Sequence, residues 1–160
     1  IFNLYMIQRI QSVYLVLTAL LPGIFLKGSF LKFINNSGET YSLYLSGVVK
    51  NSAIAGAEVI DKVLPLGILL ALIPVLSVVC IFLYRKRKLQ MKFSLILILL
   101  SFLLITVIVW HGYRIATQYG ASLQPGINMV FPLLILFFAG MAYRNIKKDE
   151  DLVRSYDRLR

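Results

Sequence analysis

Long apolar runs without charge are the main pattern of this chain. Residues 63–84, 93–110 and 127–143 contain no Asp, Glu, Lys, Arg or His. A helix needs roughly 17–25 apolar residues to cross a hydrocarbon core of about 30 Å. We therefore predict that each of these three runs forms a membrane-spanning helix.

A fourth apolar segment lies near the start of the sequence, at residues 6–26. Its apolar part, Val13–Leu26, is short, so the polar residues before it have to lie at the lipid headgroups or face protein. A cleaved signal peptide is the rival interpretation, but no small-x-small cleavage site follows Leu26. We predict a spanning helix here, which makes the chain a single all-α integral membrane domain of four transmembrane helices.

The connection between helices 1 and 2, residues 27–62, is too long for a simple turn. Phe30–Ile34 and Thr40–Val49 flank an Asn-Asn-Ser-Gly turn sequence and predict a small β-hairpin-like outer loop. Ala53–Ile60 is predicted to be a short helical lead-in to helix 2. A lone hairpin is marginally stable in water. Its support is expected from the headgroup layer, from the second outer loop at residues 111–126, or from a docked protein partner.

The composition excludes an ordinary soluble domain. The chain is 59% hydrophobic and only 15% charged, against about 45–50% and 25% in typical soluble domains. A single cysteine, Cys80, excludes an intrachain disulfide and any two-cysteine redox motif. No paired carboxylates, phosphate-binding glycine loop or metal-ligand cluster is visible, so we predict a protein that is not an enzyme and holds no metal or cofactor.

The net charge of +10 reflects the orientation of the predicted helices in the membrane and is not evidence for a nucleic-acid partner. Five of the 17 Lys and Arg residues lie in the predicted outer loops: Lys27, Lys32, Lys50, Lys62 and Arg114. The other twelve flank the opposite side of the membrane: Arg9, Arg85, Lys86, Arg87, Lys88, Lys92, Arg144, Lys147, Lys148, Arg154, Arg158 and Arg160. The positive-inside rule therefore predicts that both termini are cytoplasmic.

Two cytoplasmic segments are candidate contact sites for lipid or for a partner. The inner loop, residues 85–92, begins with the basic cluster Arg85, Lys86, Arg87 and Lys88, which is expected to contact lipid phosphates and to anchor the topology. The tail, residues 144–160, is predicted to be helical. It carries a narrow apolar stripe and two arginines, namely Leu152, Tyr156 and Leu159 with Arg154 and Arg158. The tail either lies on anionic lipid or docks a cytoplasmic partner.

Gly67 and Ala71 form a small-xxx-small pair in helix 2, which permits close approach of another helix. The sequence leaves open whether that seam is internal or faces another protein. Three prolines, Pro65, Pro74 and Pro132, are able to kink helices 2 and 4.

Both ends of the chain and the inner loop resemble an uncharacterised family of small tetraspan membrane proteins of Bacteroidetes-type bacteria. The segments that carry the resemblance are Met6–Leu15 (MIQRIQSVYL), Arg87–Gln90 (RKLQ), Lys148–Ser155 (KDEDLVRS) and Asp157–Arg160 (DRLR). The resemblance begins at Met6, the usual first residue of a chain, and leaves open whether Ile1–Tyr5 belong to the native chain. It implies a bacterial inner-membrane location and supplies no activity.

Two functions fit these features. The first is a non-enzymatic accessory or scaffold subunit of a bacterial inner-membrane complex that handles envelope proteins, with membrane lipids and other membrane or envelope subunits as partners. The alternative is a small transporter or lipid-handling protein with a site between helices 2 and 4. That site would be lined by Ser77, Asn128 and the backbone freed by Pro74 and Pro132.

Overall fold

The computed structural model describes residues 2–24, 28–52 and 56–158, and combines four helices with one antiparallel sheet. The helices are α1 (Phe2–Ile24), α2 (Leu64–Phe82), α3 (Arg87–Tyr119) and α4 (Val130–Arg158). The strands are β1 (Leu31–Ile34), β2 (Thr40–Tyr44), β3 (Gly47–Ser52), β4 (Gly56–Asp61) and β5 (Ser122–Gln124). The predicted all-α fold is therefore wrong: the protein has an α+β fold.

The four helices form a ring in which each packs against its chain neighbours, and α4 closes the ring on α1. A short 3₁₀ turn, Leu83–Arg85, joins α2 to α3, and a second one, Ile127–Met129, leads into α4. We call the end near residues 83–92 the tail end and the end that carries the strands the sheet end. Three helical segments are long and apolar enough to cross a membrane: Leu64–Phe82, Arg87–Tyr119 and Ile127–Val153. In α1 the apolar stretch, Ile10–Gly23, is shorter.

The helices bury one stripe and expose apolar side chains elsewhere. In α3 every third or fourth residue from Gln90 to Ile115 is buried, which is the helical period. On its outward side, Leu99, Phe102 and Val109 are each 61% exposed. Such a surface is costly in water and favourable in lipid, and it agrees with the length and hydropathy of the helices.

The strand order is β4-β3-β2-β1-β5, with every neighbouring pair antiparallel. The predicted turn between β1 and β2 is confirmed: the Gly38 N–H donates to the Asn35 carbonyl oxygen at 2.9 Å. Gly38 has a φ of +79°, which glycine adopts without steric cost. The predicted single strand Thr40–Val49 is instead two strands, which a two-residue turn separates at Leu45 and Ser46.

The predicted helical lead-in at Ala53–Ile60 is wrong where the structure describes it, because Gly56–Asp61 is strand β4. Residues 53–55 of the lead-in lie outside the described residues. Pairing with β3 supplies the backbone hydrogen bonds that a helix would otherwise provide. Gly47 permits the close approach of the two strands: its φ is +138°, and a Cβ atom there would collide with the Asp61 carbonyl oxygen.

Two contacts support the sheet. The second outer loop contributes β5, which pairs with β1 and places Leu123 opposite Phe33. One face of the sheet is apolar, and its buried side chains Phe33, Tyr41 and Leu43 join the core formed by the helix ends. The Tyr41 ring also stacks on the Tyr119 ring of α3, with centroids 4.5 Å apart. The sheet therefore caps the bundle.

Candidate functional site

The sheet, α3 and α4 together enclose an apolar pocket of about 450 Å³. From the sheet it is lined by Phe33 and Leu123, from α3 by Ile108, and from α4 by Pro132 and Leu133. None of the side chains that line it is charged. Its volume lies within the roughly 300–1,000 Å³ that small-molecule sites usually have. The pocket is therefore suited to an apolar group.

The pocket is closed on its inner side and opens sideways. Phe33 and Ile108 are buried at the back of the pocket. By contrast, the lining residues Val109, Tyr113 and Leu133 are 61%, 66% and 56% exposed. The mouth therefore opens onto the apolar outer surface of the helix bundle, where a lipophilic group has direct access.

Gly112 determines how closely the sheet lies on α3. It is a buried position of α3, and a Cβ atom there would lie 2.7 Å from Leu31 Cδ1 and 3.4 Å from Phe33 Cζ. The missing side chain lets β1 rest directly on the helix. One helical turn further on, Ala116 also lines the pocket with a small side chain. Small residues on α3 therefore shape the wall of the pocket.

Pro132 is the third residue of α4, in its first helical turn. The first backbone N–H groups of a helix have no intrahelical acceptor, so the missing N–H of proline costs nothing there. A proline at this position is therefore compatible with the first turn of α4. Its ring lines the pocket.

The polar residues predicted to line a cavity between helices 2 and 4 have structural partners instead. The buried Ser77 hydroxyl donates to the Leu15 carbonyl oxygen of α1 at 2.6 Å. The Asn128 amide donates to the Ser29 carbonyl oxygen at 2.8 Å, which ties the start of α4 to the segment before β1. Of the four residues predicted for that cavity, Pro132 lines the observed pocket, which lies between α3, α4 and the sheet.

A buried polar cluster lies at the tail end, and it includes Gln11, one of the polar residues expected either at the lipid headgroups or facing protein. Gln11 of α1 donates through Nε2 to Asp149 Oδ2 of α4 at 2.6 Å and to the Asn145 carbonyl oxygen at 3.1 Å. Asp149 is only 3% exposed, and within the described part of the chain its Oδ1 atom has no hydrogen-bond partner. Arg87 of α3 donates to the Asp149 carbonyl oxygen at 3.3 Å. This cluster links three helices.

A second polar pair closes the tail end between α2 and α3. Gln90 donates through Nε2 to the Cys80 carbonyl oxygen at 3.2 Å, and the Cys80 thiol faces the Gln90 carbonyl oxygen at 3.6 Å. Both residues are buried. Cys80 packs with Leu15 and Ile146 in a small apolar cluster. Cys80 therefore has a packing role in the core.

The predicted contact residues of the basic cluster and the tail are dispersed. Lys86 is exposed, Arg87 is partly buried at the polar cluster, and Lys88 lines a groove between α3 and α4. Leu152 is half-buried on α4. Arg85, Arg154, Tyr156 and Arg158 belong to helical segments, but their side chains, like the whole of Leu159, lie outside the described residues. The structure therefore assigns two of the predicted residues to grooves: Lys88 to the groove between α3 and α4, and Leu152 to another groove along α4.

Among the described residues, the small-xxx-small pair does not lie at a seam between two helices. Ala71 is exposed, and a Cβ atom at Gly67 would contact only Leu45 Cδ1 of the sheet, at an ordinary 3.8 Å. Contact of this pair with another protein remains a prediction. In the described ranges no group of three or more His, Cys, Asp or Glu residues could hold a metal ion.

These features define a class of protein: a ring of four helices, three of them long and apolar enough to cross a membrane, capped by an antiparallel sheet. The chain belongs to the family described as a domain of unknown function (DUF4293), whose model matches residues 7–159. No curated protein and no solved structure matches the chain.

Proposed function

We propose that this protein is a non-enzymatic membrane protein that binds the acyl chain of a lipid or lipid-linked molecule in the pocket beneath its sheet. The pocket itself carries the proposal, because it is apolar, about 450 Å³ in volume and open sideways to the surface of the bundle. Its lining includes no carboxylate, amine, thiol or imidazole. The chemistry of the pocket therefore favours binding over catalysis.

The proposal includes a bacterial inner membrane, four passes and cytoplasmic termini. Three helices meet the length and hydropathy that a span requires. The fourth, α1, has 23 residues, about 35 Å at 1.5 Å per residue, and it packs against α2 and α4. Under the positive-inside rule the tail end is cytoplasmic and the sheet lies on the outer side. The pocket then lies at the level of the outer leaflet.

Apolar area alone gives little selectivity here, because an acyl chain is already in apolar surroundings within a bilayer. The affinity has to come from close packing in the pocket and from contacts that the polar part of the ligand makes at the sheet. Tyr113 lines the pocket and is 66% exposed. Its hydroxyl is a hydrogen-bonding group that a polar headgroup at the mouth of the pocket can use.

The test is photo-crosslinking with a phospholipid that carries a diazirine on its acyl chain, in nanodiscs containing the full chain. Ala116→Phe fills the pocket, and Ala71→Phe makes the same change on the exposed side of α2. We expect labelled peptides from α3 and α4 around the pocket, and a several-fold loss of label in Ala116→Phe alone. Equal labelling of the wild type and both variants would reject the pocket as a binding site.

The accessory-subunit function is a second candidate, because β4 is an edge strand whose outer side pairs with no other strand in the described part of the chain. All six residues of β4 are exposed, including the apolar Val59 and Ile60. An exposed edge is a template for strand addition by another chain. Copurification from native membranes in mild detergent tests this function: Val59→Lys/Ile60→Lys should lose a partner that Glu58→Gln retains. A wild-type protein that always runs as one 18.2 kDa chain would exclude it.

A further inference from the structure

The groove between α3 and α4 at the tail end has a volume of about 630 Å³ and is separate from the apolar pocket. Lys88 and Lys92 line it from α3, and Lys147 lines it from α4. Glu150 and Asp151 of α4 line the same groove. The groove therefore offers three amines and two carboxylates to one ligand.

No ion pair within 4 Å joins these side chains to one another in the described part of the chain. The ion pairs within 4 Å in the described part of the chain are Lys50–Glu39 and Arg114–Asp61, and both lie at the sheet end. The groove lysines thus keep their hydrogen-bond donors available, and the two carboxylates keep their acceptors. A ligand that carries both charges would satisfy both sets.

The start of α3 adds positive potential beside the groove. The helix begins at Arg87, its N-cap residue Lys86 makes no side-chain capping bond, and its first turn contains no acidic residue. The first N–H groups of a helix lack intrahelical acceptors and form the positive end of the helix dipole. Lys88 is in this first turn, so an anionic group fits best on the α3 side of the groove.

Apolar residues complete the groove. Met91 and Leu95 line it on α3, about one turn beyond Lys88 and Lys92 respectively. Lys92 and Ile108 are sixteen residues apart along α3, about 24 Å at 1.5 Å per residue. The groove and the apolar pocket therefore lie towards opposite ends of the same α3–α4 seam, at a separation close to the thickness of a hydrocarbon core.

We propose that this groove binds the headgroup of an aminophospholipid, with its phosphate against the three lysines and its primary ammonium against Glu150 and Asp151. A headgroup with only negative charge would be repelled by the two carboxylates. A choline headgroup has no N–H donor for them. Met91 and Leu95 lie where the acyl chains leave the groove. The assignment depends on the membrane insertion proposed above and is independent of the apolar pocket.

The experiment is native mass spectrometry of the delipidated full chain in detergent, titrated with phosphatidylethanolamine, phosphatidylglycerol or phosphatidylcholine of identical acyl chains. We expect phosphatidylethanolamine to bind most tightly. Lys88→Ala, Lys92→Ala and Lys147→Ala should each weaken it about fivefold, the effect of one nearby cation on a phosphate. Lys86→Ala is the matched control, because Lys86 is an exposed cation two residues away that does not line the groove.

The carboxylates provide the decisive comparison. Glu150→Gln/Asp151→Asn should weaken phosphatidylethanolamine and strengthen phosphatidylglycerol. Unchanged lipid preference in that variant, or an equal loss in Lys86→Ala and Lys88→Ala, would overturn the proposal. Displacement of the lipid by equimolar O-phosphoethanolamine would show a site for a soluble phosphate and would also overturn it. Ala116→Phe should leave the headgroup preference unchanged, so failure here is distinguishable from failure of the outer pocket.

Discussion

The two ends of this helix ring are held together by different chemistry. At the sheet end, apolar side chains such as Phe33 and Leu43 pack between the strands and the helices. At the tail end, a buried amide and a buried carboxylate, Gln11 and Asp149, bridge α1 and α4. Stability falls gradually as volume is removed from apolar packing, whereas the loss of one partner of a buried polar pair leaves the other partner unsatisfied at once. Single substitutions should therefore affect the two ends differently.

The largest effect is expected from removing a buried ring under the sheet. Phe33→Ala should lower the free energy of unfolding by about 3–5 kcal/mol, because Phe33 is 3% exposed and its loss leaves a cavity. Chemical denaturation in mixed micelles measures the free energy of unfolding. The control is Phe102→Ala on the outward side of α3, where the ring is 61% exposed. An equal loss in both variants would show that the sheet does not pack on the bundle as described.

The next effect should come from breaking the polar pair at the opposite end. Gln11→Leu removes the donor to Asp149 Oδ2 and leaves a buried carboxylate without it, at a cost of about 1–3 kcal/mol. The double variant Gln11→Leu/Asp149→Leu removes both partners and should recover much of that loss. A double variant that is less stable than Gln11→Leu would mean that Asp149 has a stabilising role apart from Gln11.

Most of the helices could be predicted from the sequence, but most of the sheet could not. The uncharged runs indicate α2, α3 and α4, and the Asn35–Gly38 turn indicates the β1–β2 hairpin. Strand β5 has only three residues, all exposed, and its partner β1 is far away in the sequence. No local sequence pattern predicts such a strand, because its hydrogen bonds depend on the tertiary fold.

The candidate site was predictable only in parts. Pro132 was identified as a cavity-lining residue. The pocket itself depends on the close approach of β1 to Gly112, which the spacing of residue types along the sequence does not reveal. Asp149 carried a usable signal: it continues the buried series Ile135, Ala139, Ala142 and Ile146 at three- and four-residue intervals. The buried stripe of α4 therefore extends beyond the uncharged run 127–143 into the tail.

An intermediate effect is expected at the contact between β1 and α3. Gly112→Ala should be less stable than Gly140→Ala by about 1 kcal/mol, because the new methyl group displaces the end of the flexible Leu31 side chain while both variants gain similar helix propensity. A Cβ atom at Gly140 meets nothing within 4 Å. Thermal unfolding of the two variants in one detergent makes the comparison. Equal midpoints would indicate that β1 is further from α3 than the structure places it.

The smallest effect should come from the ion pair at the sheet end, where Lys50 Nζ lies 2.7 Å from Glu39 Oε1. The hydrogen bond from Lys50, followed by that from the Tyr41 hydroxyl, lowers the pKa of Glu39 below its usual 4.5. Since the folded pKa is the lower one, this stabilisation is present above pH 4.5 and is lost as the pH falls through the folded value. We therefore expect the unfolding midpoint of the wild type to drop in mild acid.

The variant Glu39→Gln separates this contribution from the other carboxylates of the chain. It should lower the midpoint slightly at neutral pH and converge with the wild type in acid, because protonated Glu39 no longer attracts Lys50. The pair is solvent-accessible, so added salt should also reduce the difference at neutral pH. The tail-end cluster is shielded from solvent, and the effect of Gln11→Leu should not change with salt. If salt diminishes both effects alike, the contrast between an exposed and a buried polar contact fails.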